Sequence, residues 1–190
     1  MEQKIFIKGT NLIVKSGIFN PDINVTNSSS MILNNIPDIK QKEILDVGCG
    51  TGIIGIYCAL NGAKKVLATD IDEKAIENTK ENIITNKAQN IEVLKSNLFE
   101  KVKGKFDYIF ANLPISDRHW NLGISTINLL KNFLLEVRDH LKEGGKFYFT
   151  WILEHDVQSA IRLLKENNFH FKEKIEEKFN RTWYLFEVSK

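Results

Sequence analysis

The chain has 190 residues, 43% of them hydrophobic and 26% charged, and 26 Lys plus Arg against 24 Asp plus Glu leave a net charge of +2. That length suits one α/β domain, which buries roughly 70% of its unfolded surface without help from metal or disulfides, and the apolar content excludes a disordered chain. The longest apolar run, 53–60 with Gly55 inside it, is too short to span a bilayer, and the balanced charge neither indicates nor excludes nucleic acid. The first residues, Met1-Glu2-Gln3-Lys4, carry an acid and no apolar leader, and Cys49 and Cys58 lack metal-ligand spacing. A reduced, cytoplasmic protein with no metal and no membrane anchor is expected.

Lys4–Lys8 and Leu12–Lys15 read as two short strands around Gly9-Thr10-Asn11, and a polar stretch from Asn20 leads into a short helix near Ser30–Asn35. Pro37 closes this part, so residues 1–41 are expected to form an N-terminal extension and residues 42–190 the main domain. Glu43–Val47 is a short apolar strand that runs into a glycine cluster, and Ile53–Leu60 opens a helix. Lys65–Thr69 is the next strand. Glu73–Asn86 reads as an amphipathic helix with Ile76, Ile83 and Ile84 as its apolar side. Ile91–Leu94 and Phe106–Ala111 are further strands. Ile127, Leu130, Leu134, Val137 and Leu141 recur by three and four, a helix expected to stop at Gly144-Gly145. Lys146–Leu153 is an aromatic-rich strand, Val157, Ala160, Ile161 and Leu164 mark a last helix, and Phe169–Lys178 with Thr182–Val188 form a closing hairpin. Strands alternating with helices imply a Rossmann-like, doubly wound sheet of seven strands, mostly parallel, with that hairpin as its antiparallel part.

The first strand-to-helix turn of the main domain carries Asp46-Val47-Gly48-Cys49-Gly50-Thr51-Gly52. Glycines there let the backbone turn tightly and a ligand approach it closely. By itself such a loop is also compatible with an ordinary tight turn. Its spacing is Gly48-x-Gly50-x-Gly52, with Ile53 where a dinucleotide fingerprint requires glycine, which argues against a nicotinamide oxidoreductase. Asp46 precedes the glycines and suits an amino-bearing ligand better than a pyrophosphate. Asp70 ends the second strand of the domain, where an acid grips a ribose diol, while Asp72 is the better N-cap for the following helix. The combination describes an adenosine ligand without a diphosphate.

These two segments, with Thr69-Asp70-Ile71-Asp72 as the second, resemble the first two motifs of class I S-adenosylmethionine-dependent methyltransferases. The resemblance implies that Gly48, Gly50 and Gly52 lie against the methionine part of the cofactor. It implies that Asp46 acts near its amino group, that Asp70 binds the ribose hydroxyls and that Ile71 packs on the adenine. Ser96-Asn97-Leu98-Phe99 matches a third motif that usually carries Asp, with Asn97 at the adenine edge.

Asn112-Leu113-Pro114-Ile115, at the end of Phe106–Ala111, is similar to the (Asn/Asp/Ser)-x-Pro-(aromatic) motif of the amino-methylating members of this class. Asn112, Pro114 and Ile115 are therefore the candidate acceptor-site residues, with Ile115 standing where the motif has an aromatic. A planar amide or exocyclic amine has a delocalised lone pair, and acceptors for both its hydrogens hold it still for in-line attack. The Asn112 oxygen and the backbone carbonyl of Leu113 or Pro114 would supply them. Asp117 and His119 follow in a polar loop that is expected to be a binding rim before it is a source of a general base.

A longer resemblance, to the methyltransferases of large-subunit ribosomal protein eleven, runs from about Phe19 to Val188. It rests on Asn61-Gly62-Ala63-Lys64-Lys65-Val66, on Gly144 to Leu153, and on the closing Arg181-Thr182-Trp183-Tyr184-Leu185. It lays Phe19 to Thr26 over a glycine- and threonine-rich segment of that family, which makes Thr26 a cofactor-contact candidate. Pro114 is absent from that family and leans toward the release-factor glutamine and RNA-base methyltransferases. The resemblances imply an S-adenosylmethionine-dependent N-methyltransferase acting on a protein or RNA of the translation machinery. A small-molecule N-methyltransferase and a cofactor-binding subunit active only with a partner stand as alternatives.

Overall fold

The structure, a computed structural model, describes residues 2–114, 124–152 and 156–190. The chain opens on the hairpin β1 (Gln3–Ile7) and β2 (Thr10–Val14), joined by Lys8-Gly9 with both residues at positive φ, the turn that matches strand twist. Then follow α1 (Ser28–Asn34), β3 (Glu43–Val47), α2 (Ile53–Leu60), β4 (Lys65–Asp70), α3 (Glu73–Thr85), β5 (Ile91–Lys95) and β6 (Phe106–Ala111). After them come α4 (Thr126–Val137), β7 (Leu141–Ile152), α5 (Val157–Glu166), β8 (His170–Lys178) and β9 (Arg181–Ser189).

Seven strands form one sheet in the order β5-β4-β3-β6-β7-β9-β8. β3 to β7 are parallel, and β9 runs antiparallel to both β7 and β8. This is the expected doubly wound sheet with its terminal hairpin. The order reverses between β3 and β6, so the loops that leave their C-terminal ends diverge and open a cleft.

Alternation along the strands sorts the core onto two faces. Leu45, Ile109, Phe147, Phe149 and Phe186 pack with α4 and α5 on one side. Ile44, Phe110, Tyr148 and Leu185 pack on the other with α1, α2 and the hairpin residues Ile7 and Leu12. Among the described residues no helix is long and apolar enough to cross a membrane, and no three metal-ligating side chains gather.

Two expectations of the sequence are corrected. The helix with the Leu130–Leu134 stripe ends at Val137, passes through one 3-10 turn (Arg138–His140), and is already strand by Leu141. Gly144 and Gly145 therefore lie inside β7 and do not stop a helix. Their bulge lets β7 pair Leu141 with Phe106 and, after an irregularity, Lys146 with Tyr108. A Cβ on Gly145 would stand 3.0 Å from the carbonyl oxygens of both Lys142 and Phe106, so glycine is dictated by space.

The second correction concerns α3, whose buried face holds the expected Ile76 but is otherwise mostly polar. Ala75, Ile76, Asn78, Thr79 and Asn82 are buried, whereas Ile84 is 77% exposed. Tertiary hydrogen bonds outweigh apolar periodicity there, because the helix packs against backbone polar groups that need partners.

Candidate active site

The glycine loop between β3 and α2 is fastened on every side. Gly48 and Cys49 donate their N–H groups to the Thr69 carbonyl at 2.8 and 2.9 Å, which ties the loop to the end of β4. From behind, Thr79 Oγ1 donates to the Gly50 carbonyl at 3.0 Å and Asn82 Nδ2 to the Thr51 carbonyl at 2.9 Å. Gly52 is left-handed, and a Cβ there would meet the Thr79 methyl at 2.7 Å, so this glycine permits close packing on α3. At Gly48 and Gly50 a Cβ would meet nothing within 4 Å, because both face open space.

Two carboxylates attend the loop in different ways. Asp70, at the end of β4, accepts from Gly50 N at 2.9 Å through Oδ2 and from Asp72 N at 3.0 Å through Oδ1. Burial raises its pKa, against the pull of those backbone donors. Asp72, as expected, caps α3 by accepting from Lys74 N at 3.0 Å. Asp46 is only 1% exposed and accepts from Gly55 N at 2.9 Å. Its Oδ1 has no partner among the described residues, and burial pushes its pKa up to about 7. Burial also raises Cys49 and Cys58 well above the usual thiol range, so both are neutral and unreactive.

A cavity of about 330 Å³ opens at the C-terminal ends of the strands, where the sheet order reverses. Gly48, Gly50, Asp70, Ile71, Asn97, Asn112 and Pro114 of the sequence candidates stand on its wall. Thr26, Asp46 and Gly52 lie outside that wall: Thr26 is buried with its Oγ1 beside Ser28, and Asp46 and Gly52 sit beneath the loop. Ile115, with Asp117 and His119, falls outside the described residues. The charged side chains on the described wall are Asp70 and Asp72, and the rest is largely apolar.

Reading the sequence missed the residues that hold Asn112. Thr150 Oγ1, from β7, donates to Asn112 Oδ1 at 2.9 Å, and Asn112 Nδ2 donates to Ser29 Oγ, from α1, at 3.1 Å. Ser28 and Ser29 also face the cavity. An amide clamped at both ends presents a fixed plane, and its carbonyl oxygen keeps one lone pair free. Neither partner carries a signal in the sequence, since Ser29 lies 83 residues from Asn112 and Thr150 lies 38 away.

The sequence model of the methyltransferase small domain family matches residues 9–180. The chain belongs to the methyltransferase small domain family. A relative from Methanocaldococcus jannaschii, named as a protein N5-glutamine methyltransferase, is 37% identical over 74% of this chain and 75% of its own length. The ribosomal protein L11 methyltransferase of Lactobacillus johnsonii is 35% identical over 73% of this chain. This methyltransferase small domain spans only 40% of that longer relative. Among solved structures, the ribosomal protein L11 methylase of Lactobacillus delbrueckii subsp. bulgaricus superposes with a TM-score of 0.73 at 25% identity, over 93% of this chain and 83% of that one. A 16S rRNA N2 methyltransferase of Thermus thermophilus, in complex with AdoMet and guanosine, reaches a TM-score of 0.78 at 20% identity, over 100% of this chain and 50% of that one. That last likeness is one of fold. The methyltransferase small domain thus places its glycine loop and its Asn112-Leu113-Pro114 segment on one cavity, from strands adjacent in the sheet.

Proposed function

We propose that this methyltransferase domain binds S-adenosylmethionine and transfers its methyl group to an amide or amino nitrogen on a component of the translation machinery. The observation that carries the reading is the single cavity that joins Asp70 and the glycine loop to Asn112 and Pro114.

The chemistry of the wall fits the cofactor. Asp70 has already taken two backbone N–H groups and retains lone pairs for the two hydroxyls of a ribose. Gly48 and Gly50 leave room for the methionine part, and Ile71, Ala75 and Leu98 offer apolar surface for an adenine, with Asn97 at its edge. The described wall carries no Lys or Arg, in keeping with a ligand that has no diphosphate. Asp46 lies behind the loop with an oxygen that has no partner among the described residues, and an ammonium group bound over the loop would favour its ionised form.

When bound, S-adenosylmethionine would supply a methyl group on a sulfonium: an acceptor nitrogen would form the N–C bond as the C–S bond breaks, S-adenosylhomocysteine would leave, and the nitrogen would release a proton to solvent. The chain's own part is placement. The free lone pair of Asn112 Oδ1 accepts one hydrogen of the acceptor nitrogen, and the Leu113 or Pro114 carbonyl accepts the other. Thr150 and Ser29 keep that amide in register. The apolar wall around Leu113, Pro114 and Leu129 suits a neutral, planar group. The protein substrates in the names of the two relatives support a side-chain amide or amine as the acceptor, and label on a small amine is one outcome of the test.

Radiolabelled cofactor incubated with the protein and total extract, then digested with nuclease or protease, reports which polymer holds the methyl group. Protease-sensitive or nuclease-sensitive label is expected. Label in neither polymer fraction, or no transfer at all, would overturn the reading. In calorimetric titration with S-adenosylhomocysteine, Asp70→Ala is expected to weaken binding on the order of a hundredfold, the loss of two charge-assisted hydrogen bonds.

A further inference from the structure

Asn78 and Asn82 on α3 and Asn86 at its C-cap stand four residues apart, so one side of the helix presents three carboxamides in a row. They meet the edge of β2 that β1 does not cover. Lys15, Ile13 and Asn11 donate their N–H groups to the Oδ1 atoms of Asn78, Asn82 and Asn86, at 3.2, 2.8 and 2.8 Å. Asn78 and Asn82 return Nδ2 to the Ile13 carbonyl at 2.7 and 3.0 Å. The helix thereby stands in for a third strand.

Asn82 does more than dock the hairpin. Its Nδ2 also donates to the Thr51 carbonyl, one residue beyond the Gly50 carbonyl that Thr79 holds. A primary amide has two N–H donors and one carbonyl, and Asn82 uses all of them to bridge β2 and the glycine loop. It is fully buried, as is Asn78, but among the described residues the Asn78 side chain is hydrogen-bonded only to Ile13 and to Lys15 just past β2. Carbonyls held from behind fix the peptide planes of Gly50 and Thr51, so a ligand meets a loop already ordered and loses less entropy on binding.

We propose that Asn82 is a positioning residue for the cofactor loop, and that through it docking of the β1–β2 hairpin and occupancy of the loop stabilise each other. The proposal rests on the reading of this loop as the S-adenosylmethionine site. The coupling is reciprocal because both events draw on one amide: a ligand that orders Thr51 also favours the Asn82 geometry that Ile13 needs.

Calorimetry with S-adenosylhomocysteine on three proteins separates this role from general support of the fold. Asn82→Ala should bind about tenfold more weakly than the parent, the loss of one oriented hydrogen bond. Asn78→Ala, equally buried and bonded to the same Ile13 carbonyl, should stay within about twofold of the parent even where its melting temperature drops as far. Equal affinity in the parent and Asn82→Ala, or equal weakening in both variants, would overturn the proposal. If the parent itself fails to bind, the cofactor reading fails and the proposal falls with it. Should Asn82→Ala not fold, hydrogen exchange on the parent decides. The Ile13 amide, remote from the cavity, should exchange several-fold more slowly once S-adenosylhomocysteine is added, and an unchanged rate sinks the coupling.

Discussion

Asn112 shows how much of a site can hang on one amide. Its Oδ1 accepts from Thr150 and its Nδ2 donates to Ser29, and the two hydroxyls come from different elements, β7 and α1. Replacing Thr150 by Val keeps the branched shape and removes the donor. The Asn112 plane then loses one of its two anchors, and kcat is expected to fall about tenfold while the affinity for S-adenosylhomocysteine stays at the parent level. An unaltered kcat in Thr150→Val would show that the amide is oriented without it. Asn112 itself was legible, because Asn-x-Pro at a strand end is a local pattern. Ser29 was not, since a serine triplet ahead of a short helix reads the same whether or not it faces an amide.

Among the elements, β7 teaches most about local and tertiary signals. A Gly-Gly pair after a helical stripe reads as a helix terminus, although the three residues before it, Leu141–Glu143, are already strand. The glycines are there because β7 bulges against β6, and a Cβ at Gly145 would stand only 3.0, 3.0 and 3.1 Å from the carbonyl oxygens of Lys142, Phe106 and Asp107. Backbone atoms of a paired strand cannot yield as a side-chain tip can. Gly145→Ala is expected to cost about 1–3 kcal/mol, as overpacking does, which a thermal melt reads as roughly 2–4 °C per kcal/mol for a domain of this size. Unchanged melting would mean that the bulge relaxes freely. In α3 the error ran the other way: apolar periodicity selected Ile84 over Asn78 and Asn82, and the asparagine spacing of four was the overlooked signal.

At the scale of the whole molecule, charge at the two ends of the sheet gives stability two opposing dependences on pH. At the foot, Lys142 reaches Asp107 at 2.9 Å and Glu43 at 3.0 Å. Lys142 and then Lys64 hold the Glu43 carboxyl below its usual range. Burial pushes Asp107 up, but the Glu43 N–H and the Lys142 ammonium prevail and hold it low. Carboxyls held low stabilise the fold above about pH 4, and that contribution is lost as acid protonates them. At the head, Asp46 is held at about 7 by burial, and Asp70 is raised in the same direction. The folded state therefore keeps a proton that the unfolded chain has released, so stability falls as pH rises from about 4 to about 7. The ligand-free protein should melt highest near pH 4, with a fall toward pH 8 and a separate fall in stronger acid. Asp46→Asn, which keeps an acceptor for Gly55, should remove most of the loss between pH 5 and pH 8, roughly 2–3 kcal/mol. A melting temperature difference that does not vary between pH 5 and pH 8 would show that Asp46 is not the source.

The sequence by itself determined the order of strands and helices, the doubly wound sheet, and both motifs that border the cleft. Each of those is written locally: a period of two or of 3.6, a turn residue, or a motif within ten positions of itself. What only the tertiary structure decided is which groups meet across long separations. The N-terminal segment contributes Ser28 and Ser29 to the wall, the hairpin leans on an asparagine row 63 to 75 residues away, and Asp46 and Thr26 are buried outside the cavity wall. Such contacts are chosen by the need of buried polar groups for partners, and a donor and its acceptor leave no periodic trace when different elements carry them.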